Sequence, residues 1–367
     1  MRLGGRFLYP RARGARPACV ASCLFAAALT LGGCAWPADP GSIESATAAP
    51  LLDVDFADPF ILPHDGGLFA YATNTAHGQV NVQMAWSSNL TDWRQLRDAG
   101  EPSRLHDAMP TLPPWAKRGF TWAPEVLEAA DGFVLYFTAR HAQSGLQCVG
   151  AATAADPRGP FVSTSEEPLV CQYKLGGTID ASPFRDADGQ LYLYYKNDGN
   201  NPDFDRPTEI FAQRLASDGL RLLGEPVSLV RNDQAWEGRV VEAPTMARNG
   251  PAYTLLFSAN DYGWRDDQPA SLYAIGHASC EGPLGPCTDA PGNPLLASRA
   301  GSTGCLSGPG HQAVFEHDGA SFIAFHAWAA TADCRRGEPK RSMHIARLTW
   351  RGGDPEIGSG LAPTAHR

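Results

Sequence analysis

The chain has 367 residues, of which 43% are hydrophobic, 10% aromatic and 19% charged, so its composition excludes a disordered protein and allows a full-sized core. The 38 Gly and 30 Pro show no short period, which excludes a collagen-like sequence. The formal net charge is −9, and because the first 33 residues contain five arginines and no acidic residue, the remainder is more acidic still. This charge argues against nucleic acid as a partner and favours a neutral ligand, since an acidic surface repels a phosphate backbone.

The N-terminal segment predicts export. Residues 18–33 are apolar or small and follow the arginines, but they are too few for the roughly 20 residues of a membrane-spanning helix, so 1–33 is interpreted as a signal peptide. Its end, Leu31-Gly32-Gly33 before Cys34, resembles the lipobox of bacterial lipoproteins. The resemblance implies cleavage before Cys34 and a lipid anchor at the bacterial outer membrane or cell surface, which would be the protein's only membrane contact. An ordinary signal peptide, with a periplasmic or secreted product, is the alternative.

The cysteines agree with export. Nine are present, of which three lie in the signal segment or at its end, and an even number in the rest of an exported chain favours three disulfides, although six cysteines allow 15 connectivities. A metal cluster is the other interpretation, but no Cys-x2-Cys pair supports it. Sequence proximity suggests the pairs Cys148 with Cys171, Cys280 with Cys287, and Cys305 with Cys334.

The body of the chain repeats after a tether at 34–50, which is rich in Ala, Pro and Ser. Five segments about 60 residues apart share a proline, a turn containing Gly or Asp and an aromatic-rich strand: Asp58-Pro59, Ala123-Pro124, Ser182-Pro183, Ala243-Pro244 and Gly308-Pro309. Such a repeat predicts one four-stranded sheet per unit and few helices, with each proline as the first residue of the innermost strand. The fold class is therefore all-β, a five-bladed β-propeller over 51–352 followed by a short tail at 353–367, and a β-sandwich is the alternative.

Three acidic residues lie at repeat starts, which should all face the propeller axis: Asp58, Asp180 and Glu242. A single Asp before Pro is commonly a turn residue, but three carboxylates that converge from distant segments would repel one another without structural benefit. Two carboxylates without a nucleophilic Ser or Cys motif suit glycoside hydrolysis, in which one acid protonates the leaving oxygen and the other activates water. An ionised third carboxylate raises the pKa of its neighbour and keeps that acid protonated.

The motifs at these positions resemble glycoside hydrolase family 43. They are FADPF at 56–60, TWAPEV at 121–126, GGTIDASPF at 176–184, WEGRVVEAPTM at 236–246 and GPGHQAVF at 308–315. The resemblance implies a five-bladed propeller that hydrolyses arabinose- or xylose-containing glycans with inversion. It also implies that Asp58 is the general base, Asp180 the pKa modulator and orienter, and Glu242 the general acid.

Further site residues follow from the same resemblance. It implies that Trp122 stacks on a sugar ring, with Trp236 and Tyr262 as weaker substrate-binding candidates that could equally be packing residues. His311 matches a histidine that in many members reaches a central calcium or sodium ion through water, and a histidine hydrogen-bonded in the channel is the alternative. No cofactor is otherwise required.

Neighbouring residues of the motifs receive structural interpretations. We expect Glu237 to be structural or at the rim, and Glu125 to form a hydrogen bond between blades. His326 and Trp328, at the end of a strand in the last repeat, are predicted to be core residues.

The predicted substrate is an oligosaccharide or polysaccharide of plant hemicellulose or pectin side chains. The family likeness favours an exo-acting α-L-arabinofuranosidase on α-1,5-arabinan, and a β-xylosidase on xylo-oligosaccharides is the alternative. A non-catalytic glycan-binding surface propeller is a third possibility, but a binding protein has no need of an acid, a base and a modulator together. We expect a monomer.

Overall fold

A computed structural model describes residues 49–264, 268–301 and 304–363. The predicted signal peptide, Cys34 and all but the end of the predicted tether lie outside the described residues. Within the described part, strands predominate and only two short 3-10 helices occur, Tyr173–Leu175 and Ala235–Glu237. No helix in these ranges is long and apolar enough to cross a membrane.

The strands of the described ranges form five antiparallel sheets in chain order. The first contains β1 (Phe60–His64), β2 (Gly67–Ala72), β3 (Gln83–Ser87) and β4 (Arg94–Gln95). The second contains β5 (Ala116–Ala129), β6 (Gly132–His141) and β7 (Gln147–Ala154). The third contains β8 (Thr178–Arg185), β9 (Leu191–Asn197), β10 (Glu209–Leu215) and β11 (Leu222–Arg231). The fourth contains β12 (Val241–Asn249), β13 (Ala252–Ala259), β14 (Ala274–Cys280) and β15 (Cys287–Asp289). The fifth contains β16 (Arg299–Gly301), β17 (Gly304–His317), β18 (Ala320–Ala330), β19 (Arg336–Arg351) and β20 (Asp354–Gly360).

The sheets are arranged as the blades of a propeller. One inner strand from each blade contacts the inner strand of the next, in the order β1, β5, β8, β12, β17 and back to β1. Five hydrophobic clusters each join two neighbouring blades, so the core is divided among five interfaces. The predicted all-β, five-bladed β-propeller is therefore confirmed.

Every inner strand is interrupted at the axis by a residue with left-handed backbone. The φ angles are 58° at Asp58, 46° at Ala123, 59° at Asp180, 51° at Ala243 and 51° at His311. In the second to fifth blades this residue lies in a β-bulge, where the pairing register shifts. Non-glycine residues in this conformation are strained, and such strain is concentrated at functional sites.

The left-handed residue, and not the proline, is the feature that repeats in all five blades. Only Pro59 directly precedes its strand, whereas Pro124, Pro183, Pro244 and Pro309 lie inside their strands. The predicted position of the prolines at strand starts is thus wrong for four blades. Pro124, Pro244 and Pro309 lie where the pairing register shifts, so a missing N–H is tolerated there, whereas Pro183 is paired with Leu193.

Hydrogen bonds between neighbouring blades connect the bulges. In four blades the N–H of the left-handed residue donates to a side chain on the second strand of the preceding blade. The bonds are Ala123 to Thr73 Oγ1 (3.1 Å), Asp180 to Thr138 Oγ1 (3.2 Å), His311 to Ser258 Oγ (2.8 Å) and Asp58 to His326 Nδ1 (3.1 Å). We call this set the interblade ring.

The interblade ring departs from its pattern between the third and fourth blades. The second strand of the third blade has Lys196 at the position opposite residue 179, where the other blades have an acceptor. An ammonium group cannot accept a hydrogen bond. The N–H of Ala243 donates instead to Asp180 Oδ2, at 2.9 Å.

The chain before the first blade joins the fifth blade to the first. Leu51 N–H donates to the carbonyl of Met343 and Phe56 N–H to the carbonyl of Arg341, both at 2.9 Å. These bonds hold β19 beside Asp58, the first residue of the ring. At the other end of the chain, β20 pairs with β19, so the fifth blade includes much of the segment expected as a tail.

The described ranges contain three disulfides, and they are the pairs that sequence proximity suggested. They join Cys148 to Cys171, Cys280 to Cys287 and Cys305 to Cys334.

Candidate functional site

A cavity of about 960 Å³ opens at the axis of the propeller. This volume is within the range of ligand-binding pockets. All five blades contribute to its lining. Six of the seven residues predicted from the sequence line it: Asp58, Trp122, Asp180, Glu242, Tyr262 and His311.

Asp58 lies beside an arginine and two histidines of the last blade. Its Oδ1 atom is 3.4 Å from Arg341 Nη1 and 3.4 Å from His311 Nδ1, and Oδ2 accepts a hydrogen bond from the hydroxyl of Thr73. Burial alone would raise the pKa of Asp58, but His311 and Arg341 outweigh burial and hold this pKa well below its usual range. Asp58 is therefore an ionised hydrogen-bond acceptor at neutral pH.

Asp180 is buried beside a second carboxylate, Glu242, so its surroundings disfavour a negative charge. Burial, together with the nearby charge of Glu242, raises the pKa of Asp180 to about 6, although His311 opposes the shift. Its Oδ2 atom accepts the N–H of Ala243, the residue after Glu242. Asp180 thus takes up a proton easily and also holds the bulge that carries Glu242.

Glu242 has a hydrogen-bond donor at each carboxylate oxygen. The hydroxyl of Tyr273 donates to Oε1 at 2.7 Å, and Lys196 Nζ is 3.2 Å from Oε2. The Glu242 side chain is 12% exposed, whereas the Lys196 side chain is completely buried. Burial and the charge of Glu242 raise the pKa of Tyr273 well above its usual range, so its hydroxyl stays neutral and donates. Tyr273 and Lys196 thus hold the Glu242 carboxylate in place from the protein interior.

His311 contacts Asp58 and stacks on a second histidine. Its ring is 6.2 Å from that of His326, which is fully buried and whose pKa burial lowers to about 4. His326 is therefore neutral and belongs to the interblade ring, beyond the core role predicted for it. In the described residues no group of three or more His, Cys, Asp or Glu side chains is placed to hold a metal ion. These side chains thus do not fit a directly coordinated ion, and the calcium or sodium ion reached through water from His311 stays a prediction.

The three aromatic residues predicted to bind substrate lie in different places. Trp122 immediately precedes a bulge and Tyr262 is 53% exposed, and both line the cavity. Trp236 does not line it, because its ring packs at 5.7 Å from that of Phe257. A Cβ atom on Gly276 would lie 2.4 Å from the Trp236 ring, so the ring is held tightly in the fourth blade. The predicted sugar contact of Trp236 is not supported for this reason.

Three residues that contact the carboxylates were not predicted from the sequence: Tyr273 and Arg341, which line the cavity, and Lys196, which is buried behind Glu242. They lie on strands or loops outside the repeat starts that the sequence analysis compared. The Arg341 guanidinium is 5.5 Å from the ring of Tyr262 and 5.7 Å from that of Trp328, so two aromatic rings hold it beside Asp58. A signal for Lys196 was present in the sequence, since a lysine ends the apolar run LYLYYK at 191–196.

The other acids of the motifs have structural environments. Ser182 of the third blade donates a hydrogen bond to Glu125 of the second, as expected for a contact between blades, and burial raises the pKa of Glu125 well above its usual range. Glu237 accepts the N–H of Gln234 at 2.8 Å and caps the 3-10 helix Ala235–Glu237. Both residues are consistent with the structural interpretation.

Comparisons with known proteins place these features in a family. The model of the glycosyl hydrolases family 43 matches residues 47–355. A beta-D-galactofuranosidase of Aspergillus niger is 28% identical over 224 residues, which are 58% of this chain and 58% of that protein. An extracellular exo-alpha-(1->5)-L-arabinofuranosidase of Cellvibrio japonicus is 22% identical over 330 residues, which are 83% of this chain and 86% of that protein.

A solved structure supports the same relationship. The crystal structure of a thermostable family-43 glycoside hydrolase has a TM-score of 0.71 and 29% identity, covering 88% of this chain and 98% of that one. The chain spans little more than half the length of some curated relatives that it matches. Because the family model covers most of the sequence and the whole propeller up to the last strand, the chain belongs to glycosyl hydrolase family 43.

Proposed function

We propose that this protein is an exported, inverting glycoside hydrolase that removes terminal α-L-arabinofuranosyl residues from plant-type glycans. The observation that carries the proposal is the set of three carboxylates from three blades in one cavity. Their surroundings differ, since the pKa of Asp58 is lowered while that of Asp180 is raised to about 6. An ionised Asp58 suits the role of a base, and a carboxyl group such as Asp180 beside Glu242 suits the role of a modulator.

Asp58 is proposed as the general base. Its carboxylate takes a proton from a water molecule while the water oxygen bonds to the anomeric carbon. The bond between that carbon and the glycosidic oxygen breaks, and its electron pair stays on the leaving oxygen. Attack from the side opposite the leaving group inverts the anomeric configuration.

Glu242 is proposed as the general acid. It gives its proton to the leaving oxygen as the glycosidic bond breaks, so that a neutral hydroxyl departs. The reaction leaves Asp58 protonated and Glu242 ionised, and one proton exchanged with solvent at each group restores the enzyme. Asp180 is proposed as the modulator and orienter of Glu242, because it holds the neighbouring Ala243 N–H and its charge opposes ionisation of Glu242.

The substrate class rests on relatives and on the cavity. Two of the relatives are named for five-membered-ring sugars, an arabinofuranosidase and a galactofuranosidase. Trp122 offers a ring on which such a sugar could stack, with Tyr262 at the same cavity. Relatives named as extracellular support export, and the lipid anchor at Cys34 stays a prediction.

Product analysis tests this function. The protein from residue 35 onward is incubated with linear arabinan, arabinoxylan and xylo-oligosaccharides, and the products are separated by chromatography. We expect arabinose alone from arabinan, and NMR of the first product should show the inverted anomer. Xylose would favour the β-xylosidase, longer oligosaccharides would favour endo action, and binding without any product would indicate a glycan-binding propeller.

A further inference from the structure

Lys196 occupies a place in the propeller where the other four blades have hydrogen-bond acceptors. The second strands of those blades contribute Thr73, Thr138, Ser258 and His326 to the interblade ring. A threonine at position 196 would complete the ring through the N–H of Ala243. With lysine at position 196 that bond is not made, so the architecture of the fold does not explain why a lysine is there.

The side chain of Lys196 is completely buried and contacts Glu242, which lines the cavity. Its exposed fraction is 0%, and its Nζ atom is 3.2 Å from Glu242 Oε2, 2.6 Å from Asn200 Oδ1 and 3.8 Å from Asp198 Oδ1. A buried ammonium group is costly unless it is paired. Glu242 is its closest acidic partner.

The charges around Glu242 oppose one another. Lys196 is the cation in contact with it, while the carboxylates of Asp180 and Asp198 lie close enough to interact with it. Tyr273 contributes a neutral hydroxyl from the fourth blade. More distant groups act through these neighbours, His311 and Asp58 on Asp180, and Arg140 on Asp198. Lys196 is the one cation of this set that touches Glu242.

We propose that Lys196 is a positioning residue for Glu242, holding Oε2 in place and setting the pH above which Glu242 loses the proton that it transfers. The inference rests on the proposed function. When Glu242 gives its proton to the leaving oxygen, a negative charge forms beside the ammonium group, which stabilises that charge without moving. Asp180 and Asp198 act in the opposite direction and keep the proton on Glu242 until the bond breaks. The opposing effects of Lys196 and of the two aspartates thus let Glu242 hold its proton before the bond breaks and release it to the leaving oxygen as the bond breaks.

Three substitutions of one residue test the inference. Lys196→Met keeps much of the side-chain volume and removes the charge, whereas Lys196→Arg keeps the charge. Lys196→Thr removes the charge but supplies the hydroxyl that two other blades use in the ring, so it remains a folded reference should the methionine variant not fold. Lys174→Met is the matched control, because Lys174 is exposed, outside the cavity, and its loss changes the net charge equally.

Kinetics are measured from pH 4 to 9 on α-1,5-arabinotriose and on 4-nitrophenyl α-L-arabinofuranoside. For Lys196→Met and Lys196→Thr we expect the basic limb of the kcat/KM profile to move up by about one pH unit or more, the usual effect of one opposite charge at contact distance. Activity on the trisaccharide should fall about tenfold or more, and on the nitrophenyl substrate less, because a good leaving group needs little acid assistance. Lys196→Arg should restore the limb, and Lys174→Met should change nothing.

A purely structural role for Lys196 predicts a different result. Both substrates would then lose activity equally and the limb would not move, which would overturn the inference. A second readout separates it from the proposed function, namely ¹³C NMR of labelled glutamate side chains, with the Glu242 signal assigned as the one missing from Glu242→Gln. We expect this carboxyl group to titrate at a higher pH in Lys196→Met than in the wild type. Should the wild type hydrolyse no substrate, the proposed function fails, and an unmoved titration would still overturn the role of Lys196.

Discussion

The two sides of the cavity place their carboxylates in different electrostatic surroundings. Near the first and fifth blades, Asp58 lies beside Arg341 and His311, and its pKa is held well below the usual range. Near the third and fourth blades, burial and the charge of Glu242 raise the pKa of Asp180 to about 6. Asp58 and Asp180 have the same left-handed backbone, so the neighbouring blades, and not the local backbone, determine their proton affinity.

The difference arises from the side chains that neighbouring blades supply. His311 and Arg341 of the fifth blade lower the pKa of Asp58, whereas burial and Glu242 of the fourth blade raise that of Asp180. A repeated backbone can thus hold one carboxylate ionised and another readily protonated at similar places, because each blade supplies its own neighbours.

The largest expected effect is that of Asp58→Asn. The amide cannot accept a proton from water, so kcat should fall by about 10²–10⁴-fold, the usual contribution of a general base. The loss should be the same on arabino-oligosaccharides and on nitrophenyl arabinofuranoside, since activation of water does not depend on the leaving group. Recovery of activity on the nitrophenyl substrate would instead indicate that Asp58 is the acid.

Glu242→Gln should separate the two substrates. We expect a loss of about 10²–10⁴-fold on oligosaccharides, because their leaving oxygen must be protonated as the bond breaks. The nitrophenyl substrate should be affected much less, while the Kd for arabino-oligosaccharides, measured by calorimetry, should remain close to that of the wild type. Unchanged turnover of oligosaccharides would contradict the acid assignment.

The sequence predicted the three carboxylates because each lies at the start of a repeat, where a motif marks it. It did not reveal the bulges, since nothing in the letters of Ala123 or Ala243 indicates a left-handed backbone. Alignment on the prolines was correct for the first, second and fourth blades, but Pro183 and Pro309 are displaced from their bulges.

Contacts between blades were the least predictable part of the site. Lys196, Tyr273 and Arg341 meet the carboxylates only after the propeller closes, and no local pattern carries that information. Trp236 was predicted as a substrate contact because it belongs to a motif, yet its ring packs against Phe257 in the blade. Sequence motifs therefore located the axis of the fold more reliably than the direction of individual side chains.

Asp180→Asn should stabilise the protein while it impairs activity. The pKa of Asp180 is raised on folding from 3.8 to about 6, so the folded state binds more protons and its stability falls as the pH rises through this window. At neutral pH the ionised side chain costs about 1–3 kcal/mol, at about 1.4 kcal/mol for each pKa unit. The asparagine retains an oxygen that can accept the N–H of Ala243.

Urea unfolding at two pH values checks this prediction. At pH 7.5 the free energy of unfolding of Asp180→Asn should exceed that of the wild type, and the difference should vanish at pH 3.5, where Asp180 is protonated. A variant that is less stable than the wild type at both pH values would show that the hydrogen bonds of the carboxyl group outweigh its charge.

The smallest expected effect concerns the interblade ring. Thr138 is fully buried and its hydroxyl accepts the N–H of Asp180 at 3.2 Å. Thr138→Val has nearly the same shape but leaves this N–H without a partner, which should lower the free energy of unfolding by about 1–3 kcal/mol. Thr138→Ser keeps the acceptor and is the control. Asp180 in turn holds Ala243, the residue after Glu242, so the valine variant should also lose activity on oligosaccharides. A loss of stability with unchanged kcat would instead show that the interblade ring closes the propeller without positioning the acid.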